Sequence, residues 1–225
     1  MFRDRFDAGQ QLAKRLNRYA NQEDVLVLGM PRGGVPVAFE AAKALNAPLD
    51  LLLVRKLGAP EQPELAIGAI ATGGVRVLDH GLISALGVSE EQLKAIIAAQ
   101  EAELRRRELL YRGDRPGISV RGQIAILIDD GIATGSNMLA AVAALRSLQP
   151  SEIVVATPVT STDAHNRIEL ECDEFICLVE EEHFLGIGQF YANFRQTKDW
   201  EVRDLLRRAQ AVTMKRPQLV DTSAA

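Results

Sequence analysis

The sequence predicts an α/β protein built on a mostly parallel β-sheet that is flanked by helices. Three short, largely apolar runs, at 25–29, 124–128 and 152–159, are typical of strands buried on both faces. Each is followed by a turn and then by a stretch with helical periodicity, the order expected of a strand–turn–helix unit. At 225 residues, with 47% hydrophobic and 25% charged residues, the chain is long enough for one domain with a substantial core.

The other elements follow the same alternation. Apolar residues recur at helical spacing in the opening segment. A second buried strand, at 49–54, follows the helix predicted after the first strand. We assign 1–209 to a single domain and 210–225 to a polar tail without periodicity. The predicted helices are 2–19, 35–45, 89–111, 138–148, 160–170 and 200–209, and the predicted strands are 25–29, 49–54, 124–128, 152–159 and 175–179.

Two segments interrupt this pattern. Glycines and prolines punctuate 57–75, which predicts a mobile loop or hairpin around a strand-like patch. The long charged helix at 89–111 begins after Ser89, a good N-cap residue, and is inserted between the second and third strands. Its arginines at 105–107 point in directions that differ by about 100° from one residue to the next, so we interpret them as a solvated face rather than a binding patch.

Composition disfavours several classes of protein. The formal charge of −4 gives no basic excess for nucleic acid, and no stretch has the roughly 20 apolar residues of a membrane span. Charges near the N-terminus are unlike a signal peptide, so the cytoplasm is the expected compartment. Cys172 and Cys177 are interpreted as buried free thiols. The spacing of His80, His165 and His183 suggests no metal site.

The segment that carries the chemistry is 124–138, with the sequence IAILIDDGIATGSNM. A buried strand ends in Asp129 and Asp130, and a loop with glycines and hydroxyls then opens a helix. Free backbone N–H groups in such a loop and at the helix start form a site for a phosphate. The two carboxylates would repel phosphate, but they can accept hydrogen bonds from sugar hydroxyls or hold hydrated Mg²⁺. The pattern therefore favours a ribose 5-phosphate.

This segment resembles the motif for 5-phosphoribosyl-1-pyrophosphate (PRPP) of the type I phosphoribosyltransferase family, and it lacks the Gly-Lys-Ser/Thr of a Walker A loop. The resemblance implies the fold of that family, and Asp129 and Asp130 as the catalytic pair that binds the ribose 2′- and 3′-hydroxyls. Mg²⁺ would be held mainly through PRPP and water, with one of these aspartates as a protein ligand. Asn137 stands where the family usually has Thr. The PRPP-binding residues implied are Gly131, Ile132, Ala133, Thr134, Gly135, Ser136 and Asn137.

Two further segments resemble the pyrophosphate-binding parts of the family. Arg32, Gly33 and Gly34 follow the first strand, where a cation and bare backbone at a helix start suit an anion. Arg55 and Lys56 follow the second strand, as in adenine and orotate phosphoribosyltransferases. The alternatives are an ordinary turn and solvated charges. The resemblance also implies a non-proline cis peptide in the first loop, between Pro31 and Arg32.

The acceptor is not named by the sequence. Ala133 stands where 6-oxopurine enzymes have an Asp that exchanges a proton with the purine, so hypoxanthine and guanine are disfavoured. Aromatic rings at Phe190, Tyr191 and Phe194 predict a C-terminal hood, about 180–200, that stacks on the acceptor. The alternative is that these rings anchor the C-terminal segment to the core. Glu64 is a further candidate for proton transfer, or else an exposed loop residue.

The function implied is transfer of the phosphoribosyl group from Mg²⁺–PRPP to a nitrogen acceptor, with the glycine-rich 57–75 segment closing over the site. PRPP and a small-molecule acceptor are the expected partners, without nucleic acid or membrane, and relatives suggest a homodimer. The chain as a whole resembles a bacterial family whose acceptor is not established. The alternative is a non-catalytic regulator that senses PRPP on the same fold. A Rossmann-type oxidoreductase is disfavoured because the Gly-x-Gly-x-x-Gly turn after the first strand is missing.

Overall fold

The computed structural model describes residues 1–115, 117 and 119–213, which form two sheets and the helices around them. Short 3₁₀ turns occur at Asn17–Tyr19 and Ile187–Phe190. In chain order the helices and strands are α1 (Arg5–Arg15), β1 (Val25–Gly29), α2 (Gly34–Leu45), β2 (Leu49–Leu51), β3 (Val54–Gly58), β4 (Ala66–Ala71), β5 (Val75–Leu78), α3 (His80–Ala85), α4 (Glu90–Arg112), β6 (Ile124–Ile128), α5 (Ser136–Ser147), β7 (Glu152–Ser161), α6 (Thr162–Glu169), β8 (Glu174–Glu181) and α7 (Asp199–Thr213).

The larger sheet has five parallel strands in the order β2-β1-β6-β7-β8. Its register aligns Gly29 at the end of β1 with Ile128 at the end of β6. The loops that follow these two strands therefore leave the same edge of the sheet, where ligands of open α/β sheets bind. The predicted fold class, a mostly parallel sheet flanked by helices, is confirmed.

The core lies on both faces of this sheet because alternate strand residues point to opposite sides. On one face, Val27 and Ile126 pack with residues of α1, α2 and α7. On the other face, Leu28 and Leu127 pack with residues of α5 and α6. Strands buried on both faces account for the continuous apolar runs in the sequence.

The smaller sheet is antiparallel, in the order β3-β4-β5, and it corrects one prediction. The single strand predicted at 49–54 is two strands, since β2 ends in the large sheet at Leu51 and β3 begins in the small sheet at Val54. For 57–75 the predicted alternatives were a mobile loop and a hairpin, and the paired strands β4 and β5 agree with the hairpin. Its turn uses Gly73 and Gly74, with φ of 84° and 76°, values that favour glycine.

The six predicted helices are present, but their bounds differ from the predicted ones. The predicted helix at 2–19 is α1 followed by the first 3₁₀ turn, and residues 160–161 end β7 instead of opening α6. Helix α4 begins with the predicted Ser89 cap, whose hydroxyl accepts from the Gln92 N–H while the Gln92 side chain accepts from the Ser89 N–H. Helix α7 continues to Thr213, so the first four residues of the predicted polar tail are helical. The remainder of that tail, 214–225, lies outside the described residues.

Candidate functional site

The loop that follows β6 is fixed by hydrogen bonds to its carbonyl oxygens. The backbone of Ile132 exchanges two hydrogen bonds with β7, of 2.9 and 3.0 Å. The Ser161 hydroxyl donates to the Ala133 carbonyl at 2.6 Å, and Arg167 donates to the Thr134 carbonyl at 3.0 Å. With its carbonyls bonded to protein, the loop has a set shape before any ligand binds.

The amides of the same loop are open. Across the described ranges, no protein acceptor receives a hydrogen bond from the backbone N–H groups of residues 133–138. Gly135 has a φ of 74°, and a Cβ there would lie 3.2 Å from Ile168 of α6. Consecutive open amides at the start of a helix bind anions through their N–H groups and the helix dipole. The loop thus offers amide donors to an anion, and phosphate binding there stays a prediction.

The two adjacent aspartates occupy different environments. The Asp130 carboxylate is buried against Arg5 of α1, with Oδ2 2.6 Å from the arginine Nε, and its residue is 7% exposed. The Asp130 carbonyl accepts from the Tyr191 hydroxyl at 2.6 Å. Asp129 instead lines a cavity at the sheet edge. The resemblance implied that both aspartates bind the ribose hydroxyls, but the Asp130 carboxylate is paired with Arg5 within the protein.

Burial raises the pKa of Asp129 well above its ordinary value, and the neighbouring charge of Asp130 raises it further. Burial also raises the pKa of Tyr191, with the Asp130 charge as a second cause. The ionised form of Asp129 is thus disfavoured until a cation or hydrogen-bond donors approach it. That property suits a carboxylate that receives sugar hydroxyls or a hydrated metal ion.

The loop between β1 and α2 touches the aspartate loop. Its Pro31–Arg32 peptide bond is cis, as the family resemblance implied. A Cβ at Gly33 would lie 2.1 Å from the Asp130 Oδ2, and a Cβ at Gly34 would lie 2.5 Å from the Ile128 carbonyl. Only glycine allows this approach. The Arg32 guanidinium is partly exposed and lies 3.8 Å from a carboxylate oxygen of Asp199.

A cavity of 340 Å³ lies between these loops, β3 and α4. Two of the predicted pyrophosphate cations, Arg55 and Lys56, line it together with Asp129. Its further lining residues include Pro31 of the β1–α2 loop, Asn137 near the start of α5, and Leu104 and Arg107 of α4.

Arg107 is a site residue that the sequence analysis missed. Arg105 and Arg106 are exposed, as the solvated-face interpretation predicted, but Arg107 is half-buried and lines the cavity. The sequence did contain a signal for Arg107. Leu104, a buried apolar residue, precedes it by three positions and therefore lies on the same face of the helix.

The cavity cations are held by neighbouring side chains. Arg55 Nε donates to Gln100 of α4 at 2.9 Å, and Arg107 Nε donates to Glu103 at 2.7 Å. Lys56 donates to the carbonyl of Glu64 at 2.9 Å. The Glu64 side chain is fully exposed, which places it on the surface in this structure. Three cations face a single cavity carboxylate, so the cavity suits an anionic ligand.

The predicted acceptor-binding aromatics lie elsewhere. Tyr191 is 5% exposed, and its ring packs 5.4 Å from Phe2 and 5.0 Å from Phe194. The Arg5 guanidinium covers the Phe194 ring at 4.0 Å. A stacking role for Tyr191 is therefore wrong, and the anchoring alternative describes it, because both its ring and its hydroxyl are used within the protein. Phe190 is half-buried in the same cluster.

Other features lie away from this edge. A larger cavity of 820 Å³ lies between the small sheet, the C-terminal half of α4 and α5, and it contains none of the aspartate-loop residues. Cys172 and Cys177 are free, as interpreted from the sequence, but half-buried instead of buried. Burial raises the pKa of Cys172 to about 11. Within the described ranges, no helix is long and apolar enough to cross a bilayer.

Comparison with known proteins agrees with this geometry. The sequence matches the phosphoribosyl transferase domain family over residues 3–195. It is 46% identical over 209 residues, 93% of this chain, to a Mycobacterium tuberculosis protein named "Putative phosphoribosyl transferase". The match covers 47% of that relative, so the chain spans about half the length of its curated relative.

Solved structures share the fold of this chain. A Thermus thermophilus crystal structure is 38% identical, with a TM-score of 0.85 over 92% of this chain and 98% of that one. An Aquifex aeolicus structure shares the fold alone, at 12% identity and a TM-score of 0.50 over 90% of this chain and 84% of that one. With the aspartate loop, the adjoining glycine loop and the parallel sheet in place, this chain belongs to the phosphoribosyl transferase domain family.

Proposed function

We propose that this protein binds PRPP with Mg²⁺ and transfers the phosphoribosyl group to a nitrogen acceptor, with release of pyrophosphate. One observation carries the proposal. The open amides of residues 133–138 lie on the same loop as Asp129, whose carboxylate lines a cavity with Arg55 and Lys56. Amide donors for a phosphate, a carboxylate for sugar hydroxyls and cations for a diphosphate are the groups that PRPP would need, and their presence in adjoining loops supports the proposal.

In this proposal the 5′-phosphate binds the amides of 133–138 and the hydroxyls of Thr134 and Ser136. Asp129 receives the ribose hydroxyls. Asp130, which is paired with Arg5, positions the loop instead of contacting the sugar. Pyrophosphate binds the backbone at Gly33 and Gly34 and the cations Arg32, Arg55 and Lys56.

Mg²⁺ fits this site because Asp129 is a cavity carboxylate, and none of the Lys and Arg residues that the structure describes forms an ion pair with it. Oxygen donors are the ligands that Mg²⁺ prefers, and it usually retains several waters. Asp129 would hold the ion through water or directly, with PRPP as the main ligand. When bound, Mg²⁺ would supply positive charge to the pyrophosphate group.

The reaction is a substitution at C1 of the ribose. The bond from C1 to the pyrophosphate oxygen breaks with its electron pair on oxygen, while the acceptor nitrogen forms the new bond and loses its proton to solvent. Such chemistry needs a fixed sugar, a neutralised leaving group and exclusion of water. The hydrogen-bonded loop after β6 would hold the sugar and the cavity cations would neutralise the leaving group. The turn between β3 and β4, exposed at 60–64, would exclude water as a lid.

The acceptor side of the cavity is the wall formed by α4. Leu104 and Arg107 line this wall, whereas Tyr191 does not line the cavity. We therefore propose that Leu104 and Arg107 contact the acceptor. Phe190 and Phe194 do not line this cavity, and their predicted contact with the acceptor stays a prediction. Ala133 cannot transfer a proton, so hypoxanthine and guanine should be poor acceptors.

The test is isothermal titration of PRPP with Mg²⁺, followed by pyrophosphate release with adenine, hypoxanthine, guanine, uracil and orotate. Binding together with release for at least one acceptor supports the transferase. Binding without release for any of them favours a PRPP-sensing regulator on the same fold. Absence of PRPP binding overturns the proposal. A homodimer and the lack of a nucleic-acid partner stay predictions, which light scattering and a nucleic-acid binding assay would check.

A further inference from the structure

A second set of reactive side chains lies between α6 and the edge strand β8. His165 is on α6, and Cys177 and Glu180 are on β8. One donor atom from each, an imidazole nitrogen, a thiol sulfur and a carboxylate oxygen, lie within 4.8 Å of one another. All three residues are on regular elements, so their backbones are fixed relative to each other.

The surroundings orient the imidazole. The His165 ring stacks on Phe175 with ring centroids 4.5 Å apart, and its Nδ1 lies 2.7 Å from the Glu180 Oε2. Its Nε2 lies 4.0 Å from the Glu169 carboxylate. The imidazole is 22% exposed and the Glu180 side chain is 37% exposed, so the group is reachable from solvent but not fully hydrated.

We propose that His165, Cys177 and Glu180 form a zinc site that is separate from the Mg²⁺–PRPP site. Zinc binds thiolate, imidazole and carboxylate together, whereas Mg²⁺ prefers oxygen ligands alone. Three protein ligands leave a fourth tetrahedral position for water. On binding, the sulfur–zinc bond forms as the thiol gives its proton to solvent.

The geometry needs a small adjustment. Ligand atoms of tetrahedral zinc lie about 3.3 Å apart for nitrogen and oxygen donors, from zinc bond lengths of about 2.0–2.2 Å. The His165–Glu180 hydrogen bond of 2.7 Å therefore opens, and the sulfur moves closer. Side-chain rotation achieves both, and Glu169 is placed to accept from the imidazole nitrogen that does not bind metal.

The site would link the edge strand to the aspartate loop through α6. Ala164 and Ile168 of α6 lie 3.3 and 3.2 Å from where a Gly135 Cβ would be, and Arg167 donates to the Thr134 carbonyl. A metal ion at His165 would therefore join β8 to the helix that supports the anion loop. The expected role is structural, since the ion would lie behind the loop and outside the cavity.

The experiment uses the full chain, stripped of metal and without PRPP, so that its outcome is independent of the proposed function. Titration with Zn²⁺ should show one site per chain and a higher melting temperature. Co²⁺ in place of Zn²⁺ should give a sulfur-to-metal charge-transfer absorption. Cys177→Ser should abolish that absorption and weaken Zn²⁺ binding more than tenfold, since even loss of outer-shell partners costs about 10–100-fold.

Cys172→Ser is the matched control, because Cys172 is the other half-buried free cysteine and lies outside the cluster. It should leave metal binding unchanged. His165→Gln and Glu180→Gln should each weaken binding, and Glu180, exposed on the edge strand, serves if Cys177→Ser does not fold. Equal losses in both cysteine variants, or Zn²⁺ affinity that none of the three substitutions changes, would overturn the proposal.

Discussion

The Arg5 guanidinium and the Asp130 carboxylate form a buried ion pair, with Nε and Oδ2 2.6 Å apart and each side chain 10% exposed. The same guanidinium donates to the Arg195 carbonyl at 2.7 Å and covers the Phe194 ring. The pair joins the first helix, the aspartate loop and the C-terminal segment at one point. The two adjacent aspartates thus have different roles. Asp130 is the charge partner of Arg5, and Asp129 is a carboxylate that lines the cavity.

Asp130→Asn is expected to destabilise the fold. It leaves the Arg5 guanidinium buried without its partner, a change that typically costs about 3–5 kcal/mol in the free energy of unfolding. Urea unfolding followed by circular dichroism measures this. Arg5→Met combined with Asp130→Leu should recover much of the loss, because both charges are then absent. A single variant as stable as the parent protein would contradict the buried pair.

Asp129→Asn is expected to stabilise the fold at neutral pH and to remove PRPP binding. The folded pKa of Asp129 lies above its unfolded value, so the free energy of unfolding falls as pH rises above about 3.9. Asn does not ionise, so the variant should be more stable than the parent at pH 7 and equal to it near pH 3. Melting curves across this range provide the measurement. A variant less stable at pH 7 would show that Asp129 is stabilised by its charge.

Arg107→Ala should weaken ligand binding in the cavity. A hydrogen bond to a charged group contributes about 1.5–3 kcal/mol, so the KM for acceptor or the Kd for PRPP should rise about 10- to 100-fold. Arg106→Ala is the matched control, since Arg106 bonds the same Glu103 but is exposed outside the cavity. Equal effects of the two substitutions would mean that Arg107 contributes only its ion pair with Glu103 and makes no contact with the ligand.

Gly33→Ala tests the contact between the two loops. The new methyl group would lie 2.1 Å from the Asp130 carboxylate, so one loop has to move. Overpacking of this kind typically costs about 1–3 kcal/mol, and PRPP affinity should fall with it. Gly81→Ala is the control, because its Cβ would meet its nearest neighbour at 3.4 Å, ordinary contact, within α3. If Gly33→Ala melts and binds as the parent does, the loops are farther apart than described.

The large sheet could be predicted because strands buried on both faces leave an unmistakable apolar run, as in β1 and β6. The switch between sheets at Leu52 and Leu53 left no such signal, since the run from Leu49 to Val54 is apolar across it. Strand β5 and helix α3 were missed because both are short and mostly solvated. An apolar run in the sequence indicates that a strand is buried, but it does not indicate which sheet the strand joins.

The candidate site shows the same limit. The aspartate loop and the glycine loop were predictable because each carries its chemistry within a few consecutive residues. The Arg5–Asp130 pair joins positions 125 residues apart, and no local pattern connects them. The aromatic character of Tyr191 was visible, yet its burial depends on Phe2 at the other end of the chain. Contacts between distant segments decide which predicted residues face the ligand.

The close approach of Gly33 to Asp130 also constrains how this protein can vary during evolution. A side chain at position 33 would occupy the volume of the Asp130 carboxylate, so neither position can change freely while the other is kept. We expect relatives that retain an acidic residue at 130 to retain glycine at 33. Where a larger residue stands at 33, a shorter one should stand at 130, and the arginine at position 5 should then be lost with the charge it neutralises.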